Sequence, residues 1–123
     1  MSATAITHVG TVIVPVSDQD AALAFYVGTL GFETRLDAPF AEGVRWIEVA
    51  PPGGQTTIAL VPHEMAPAGL EVSFATRDAA ADHAALRAAS ADADPELIVM
   101  DEVPPMFTLR DPDGNRLRDV ERD

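Results

Sequence analysis

Apolar residues along this chain fall into short alternating runs, separated by Gly, Pro, Asp and Asn. Val12-Ile13-Val14-Pro15-Val16 is a β-branched run that predicts a strand, with Pro15 suited to its end or to a sheet edge. Ser17 and Asp20 follow at capping-box spacing and predict the opening of a helix. Leu23, Phe25, Tyr26, Val27 and Leu30 recur at helical spacing over residues 21–30. Gly31 predicts a left-handed cap there, with Phe32 folding back onto the helix. Residues 32–36 and 44–49 predict strands. Pro51-Pro52-Gly53-Gly54 predicts a turn, and residues 56–61 the returning strand of a hairpin. Two prolines and a glycine make residues 62–69 a linker.

The pattern then recurs. Residues 70–76 predict a strand, and Asp78 opens an Ala-rich helix to about Ser90 with Leu86 on its apolar side. Residues 91–95 predict an acidic loop, with Asp92, Asp94 and Glu96 solvated. Residues 96–100, 106–110 and 117–121 predict strands. Asp111-Pro112-Asp113-Gly114-Asn115 predicts a tight turn, because Pro presets φ and Gly and Asn accept left-handed conformations. Val12-x-Val14-x-Val16-x-Asp18 aligns with Val72-x-Phe74-x-Thr76-x-Asp78, so the two halves repeat. The expectation is one α+β domain of two βαβββ modules, over residues 6–62 and 69–122. In each, a helix covers one face of a curved mixed sheet and leaves a concave face free.

Composition narrows the chemistry. The chain has 123 residues, 47% of them hydrophobic, enough for one buried core. All eight basic residues are Arg, so a Schiff-base lysine and a P-loop are excluded. The absence of Cys excludes disulfides and thiolate chemistry. A net charge of −12 argues against nucleic acid or an anionic membrane as the main partner. Most of that excess falls on loops and helix surfaces, where it serves solubility. The N-terminus lacks the pattern of a signal peptide and the apolar runs are strand-sized, which leads to the expectation of a cytoplasmic protein.

Strand alternation sorts the side chains by face. With Val12, Val14, Val72 and Phe74 under the helices, Thr11, Ile13, Glu71 and Ser73 turn to the concavity. By the same parity Trp46, Glu48, Thr57, Ala59, Val61, Met106, Thr108 and Arg110 face it too. Such a lining, with Arg118, suits a mostly apolar small molecule with a few polar anchors. Trp46, the one Trp, reads either as a stacking platform or as packing against the sheet or a second copy. His8 is expected to miss the cavity, His63 to lie in a surface loop, and His83 on the polar part of the second helix. Tyr26 is expected in the core with its hydroxyl at the edge.

Val14-x-Val16-Ser17-Asp18-x-Asp20-x-Ala22-x-Ala24-Phe25-Tyr26, followed by Leu30-Gly31-Phe32-Glu33, resembles the opening of the glyoxalase, bleomycin resistance and extradiol dioxygenase superfamily (vicinal oxygen chelate proteins). Phe107-x-Leu109-x-Asp111-Pro112-Asp113-Gly114-Asn115 resembles its last hairpin. The resemblance covers nearly the whole chain. It implies the paired βαβββ fold and a homodimer, often with each pocket built from two chains. It also implies four metal-ligand positions, usually His, Gln or Glu, which fall here on Thr11, Ala59, Glu71 and Arg118. Only Glu71 is a carboxylate, and Arg118 would repel a divalent cation. No metal is therefore expected in that place, and a Glu71–Arg118 ion pair is. The functional expectation is a small-molecule binding protein without the usual metal. The alternative is a metal-assisted or metal-free lyase, isomerase or epimerase of the glyoxalase kind with Glu71 as general base.

Overall fold

The computed structural model describes residues 5–63, 69 and 71–122. Its first half runs β1 (Thr11–Val16), α1 (Gln19–Leu23), a π-helical continuation (Ala24–Thr29), β2 (Glu33–Ala41), β3 (Val44–Ala50) and β4 (Thr57–Pro62). The second half runs β5 (Glu71–Thr76), α2 (Ala79–Ala88), β6 (Asp92–Ala93), β7 (Ile98–Met100), β8 (Val103–Arg110) and β9 (Arg116–Glu121). The sheets have the orders β1-β4-β3-β2 and β5-β9-β8-β6, with β7 also on β8. β1 lies parallel to β4 and β5 parallel to β9, while the other pairings are antiparallel. The α+β class with two mixed sheets is as expected. The first of the three later strands is broken in the second half into β6 and β7.

Local chemistry accounts for the departures. Asp18, not Ser17, caps α1: its carboxylate accepts from the amides of Asp20 and Ala21. Asp78 caps α2 in the same way through the amide of Ala81. The first helix ends in wider turns, with Leu30 N–H bonded to Phe25 O. Gly31 then takes φ 81°, where a side chain would be strained. β2 extends to Ala41 as an exposed edge strand with two register shifts, so it lacks the apolar alternation that marks a buried strand. β8 begins three residues before the expected Met106, at an edge where Pro104 and Pro105 break no central ladder. Leu70 and residues 64–68 of the expected linker lie outside the described residues.

The core is one cluster fed by both sheets. Val14, Val16, Ile47, Val49 and Leu60 come from the first, Phe107, Leu109 and Leu117 from the second, and Phe25, Tyr26 and Leu86 from the helices. A buried side chain of this size contributes roughly 1.5–3 kcal/mol, and period-2 alternation delivers these residues to one side of each sheet.

The Asp111–Asn115 turn joins the halves. Asn115, fully buried, donates from Nδ2 to Pro15 O at 2.8 Å and to Asp111 Oδ2 at 2.9 Å. The Tyr26 hydroxyl donates to the same Asp111 oxygen at 3.0 Å. Asp111 Oδ1 accepts from the amides of Asp113 and Asn115. Ser17 N–H meets the carboxylate of Asp113 at 3.0 and 3.1 Å. Tyr26 is therefore not at an edge. Burial first, then the Asp111 charge, raises its phenol above the ordinary range.

Candidate functional site

The faces opposite the helices carry the residues that alternation assigned to them. In the first sheet Ile13, Ala59 and Glu48 form one row across β1, β4 and β3, beside the row of Thr11 and Thr57. In the second sheet Ser73, Arg118 and Thr108 form a row across β5, β9 and β8. Met106 pairs with Val120 two positions along.

A chain of hydrogen bonds runs over the first face. Trp46 Nε1–H donates to Glu48 Oε2 at 2.7 Å. Thr57 donates to Glu48 Oε1 at 2.8 Å. A hydroxyl has one proton, so Thr11 is then the donor in its 2.9 Å bond to Thr57. Both oxygens of Glu48 are thus engaged, and the indole edge is held. Phe40 flanks the indole with ring centroids 5.6 Å apart. Ala59 is fully buried between Ile13 and Glu48, whereas Ile13 stays 55% exposed. Trp46 is neither sunk in the core nor loose on the surface: it is half-buried with a fixed orientation.

The second face centres on Arg118. Its Nε donates to Glu71 Oε1 at 2.5 Å, and its Nη1 lies 3.6 Å from Met106 Sδ. Both partners of the ion pair are about a third exposed. Thr108 is buried beneath, and Ser73 is exposed. The expected Glu71–Arg118 pair is present. No described hydrogen bond or ion pair joins this set to the first one. The eleven candidate residues thus divide between the two sheets of one chain.

Other polar residues found partners that alternation alone did not reveal. Asp92 and Asp94 are not a free acidic loop, because Arg110 pairs with them at 3.0 and 2.8 Å. That bond lowers the Asp92 carboxyl and raises the Arg110 guanidinium. His83 is not on a polar face: it is half-buried, Nε2 lies 2.8 Å from Asp94 O, and its ring meets Phe107 edge-on. His8 is exposed and its ring Nδ1 lies 2.8 Å from the hydroxyl of its neighbour Thr7. Among the described residues no three His, Asp or Glu side chains gather as a metal site. Thr11, Ala59 and a guanidinium are a donor set that does not fit a divalent ion. No helix of the described residues is long and apolar enough to cross a membrane.

A family model, the Glyoxalase/Bleomycin resistance protein/Dioxygenase superfamily, matches residues 5–118. Among solved structures, TnmS3, an antibiotic binding protein from Streptomyces sp. CB03234, is 36% identical with a TM-score of 0.87, over 98% of this chain and 99% of that one. A member of the same superfamily from Sphaerobacter thermophilus DSM 20745 is 34% identical with a TM-score of 0.85, over 95% and 98%. The uncharacterized protein YetH of Bacillus subtilis (strain 168) is 38% identical over 60 residues, 49% of this chain. The match spans about half, 50%, of that relative's length.

Proposed function

Since the chain belongs to the glyoxalase/bleomycin resistance protein/dioxygenase superfamily, we propose that it binds a small organic molecule without a metal, in pockets that two copies of the chain complete. The observation that carries this reading is the Arg118–Glu71 pair at 2.5 Å. It places a fixed cation on the one carboxylate among the four inherited ligand positions. What remains for recognition is the buttressed Trp46 face on one side and the Arg118, Thr108 and Met106 face on the other. An indole whose N–H is already bonded offers its face to a planar or cationic body. Arg118 offers its remaining donors to an oxygen-rich edge. The antibiotic binding described for TnmS3 supports this class of ligand.

The pairing of copies is supported by the apolar residues left outside. Ile13, Phe40, Val99 and Met100 are all more than half exposed. A homodimer that sets the first sheet of one copy over the second sheet of the other would cover such residues and close the pocket. The alternative enzyme needs Glu71 free to take a proton from carbon. Here Arg118 already holds one of its oxygens, and the same Arg118 would have to steady the enolate.

Two measurements on protein purified without added metal test the proposal. Elemental analysis should find no stoichiometric transition metal. A Trp46 fluorescence titration against planar organic ligands should give saturable quenching that EDTA leaves unchanged. Stoichiometric Ni, Zn, Mn or Fe, or quenching lost with EDTA, contradicts it. Turnover abolished by Glu71→Gln would establish the enzyme instead.

A further inference from the structure

A separate cavity lies on the helix-covered side, between the two halves. Its volume is about 240 Å³, and Phe32, Phe74 and Leu86 form its apolar wall. Phe32 from the first half and Phe74 from the second meet edge-to-face at 5.2 Å, so the wall depends on both halves. Its polar side is acidic: Asp82 of α2 and Asp119 of β9 both line it.

Asp119 is unusual for an acid. Only 7% of its surface is exposed, because the parity of β9 sends it inward with Leu117. Its register partners are Phe74 on β5 and Phe107 on β8, which bring no charge to neutralise it. Its Oδ1 is buried with no hydrogen-bond partner. A buried acceptor without a donor costs roughly 1–3 kcal/mol, and more when the group is charged. The charged groups acting on it are Asp82 from α2 and Glu121 on its own strand, both acidic. Glu121 is itself committed, because its Oε1 accepts from the amide of Ala79.

We propose that this cleft is a second binding site, for a small organic cation whose apolar body rests on Phe32, Phe74 and Leu86 and whose ammonium group bonds Asp119 and Asp82. The site is distinct from the concave faces of Trp46 and Arg118 and does not rest on their reading. Two facing carboxyls cannot both ionise cheaply, so the pair holds a proton in the empty cleft. Burial, then the neighbouring Asp82 carboxyl, pushes Asp119 up to about 8. An ammonium group supplies donors to the carboxyl oxygens that line the cleft and a positive charge in place of that proton, which leaves to solvent.

Benzylammonium is the probe, with benzyl alcohol as its neutral counterpart, followed by amide NMR at neutral pH. The expected result is saturable shifts centred on Phe32, Phe74, Asp82, Leu86 and Asp119 with the amine and none with the alcohol. Asp119→Asn, which keeps shape and loses charge, should weaken the amine about tenfold or more, the scale of one charge-assisted hydrogen bond. Asp82→Asn, on the outer helix, should weaken it too and guards against a folding defect in the first variant. Calorimetry in two buffers of different ionisation enthalpy should show net proton release on binding. The proposal is overturned by equal shifts with benzyl alcohol, by unchanged affinity in both variants, or by shifts confined to Trp46 and Thr108. That last outcome would leave the concave site standing and remove this one.

Discussion

Asn115→Ala should be among the most damaging polar substitutions in the molecule. The side chain gives two hydrogen bonds, at 2.8 Å to Pro15 O and 2.9 Å to Asp111 Oδ2. All of this is buried, so water does not replace the lost donor. An orphaned buried carbonyl costs roughly 1–3 kcal/mol and a lost bond to a buried carboxylate roughly 1.5–3. The variant should therefore lose about 3–5 kcal/mol, a large share of the ~5–15 kcal/mol that holds a typical domain folded. Tyr26→Phe removes one bond to the same Asp111 oxygen and should cost about 1.5–3 kcal/mol. Because both donors serve one oxygen, the double variant should cost more than the sum, by at least ~0.5 kcal/mol. Urea unfolding followed by Trp46 emission and by far-ultraviolet circular dichroism measures all three. A loss under ~1 kcal/mol for Asn115→Ala, or strict additivity, would refute the shared buried acceptor that joins the halves.

Two further outcomes follow from buried acids. Tyr26 is the one Tyr, and burial beside Asp111 raises its phenol, so the phenolate band should stay absent above the ordinary value near 10 until alkaline unfolding. A band that grows reversibly in folded protein near pH 10 would contradict it. For Asp119 the folded value of about 8 lies above the ordinary carboxyl near 4, so the folded state retains a proton that the unfolded state has lost. Stability from this group is therefore lost as pH rises from about 4 to about 8. Asp119→Asn should be more stable than wild type by a margin that widens across that window, to at most about 4 kcal/mol at pH 7. A constant difference in melting temperature across pH would contradict the assignment.

Much of this architecture was legible because strands alternate with period two. Val14, Ile47, Phe107 and Leu117 fall where parity puts them, and so do Trp46, Glu48 and Thr108 on the opposite faces. Edge strands were less legible. β2 is exposed along most of its length and carries no apolar signature. Contacts across the halves were illegible, since nothing local to Asn115 points to Pro15, one hundred residues away. The Asp-Pro-Asp-Gly-Asn run reads as a turn, and its joining role exists only after folding. Asp119 is the instructive miss. The alternation of Arg116, Leu117, Arg118 and Asp119 already places it on the core side, and a charged residue at a core position is itself a signal. Arg110 illustrates the converse: its alternation with Leu109 reads correctly, but its acidic partners come from β6 and the loop after it.

The proposed pocket holds no metal and is completed by two copies of the chain. A crystal structure with any ligand that quenches Trp46 tests it most directly. The expected result is a two-fold dimer with the ligand between Trp46 of one copy and Thr108 and Arg118 of the other, the Glu71–Arg118 pair intact. A metal ion bound at Glu71, or a ligand held wholly within one chain, would contradict it.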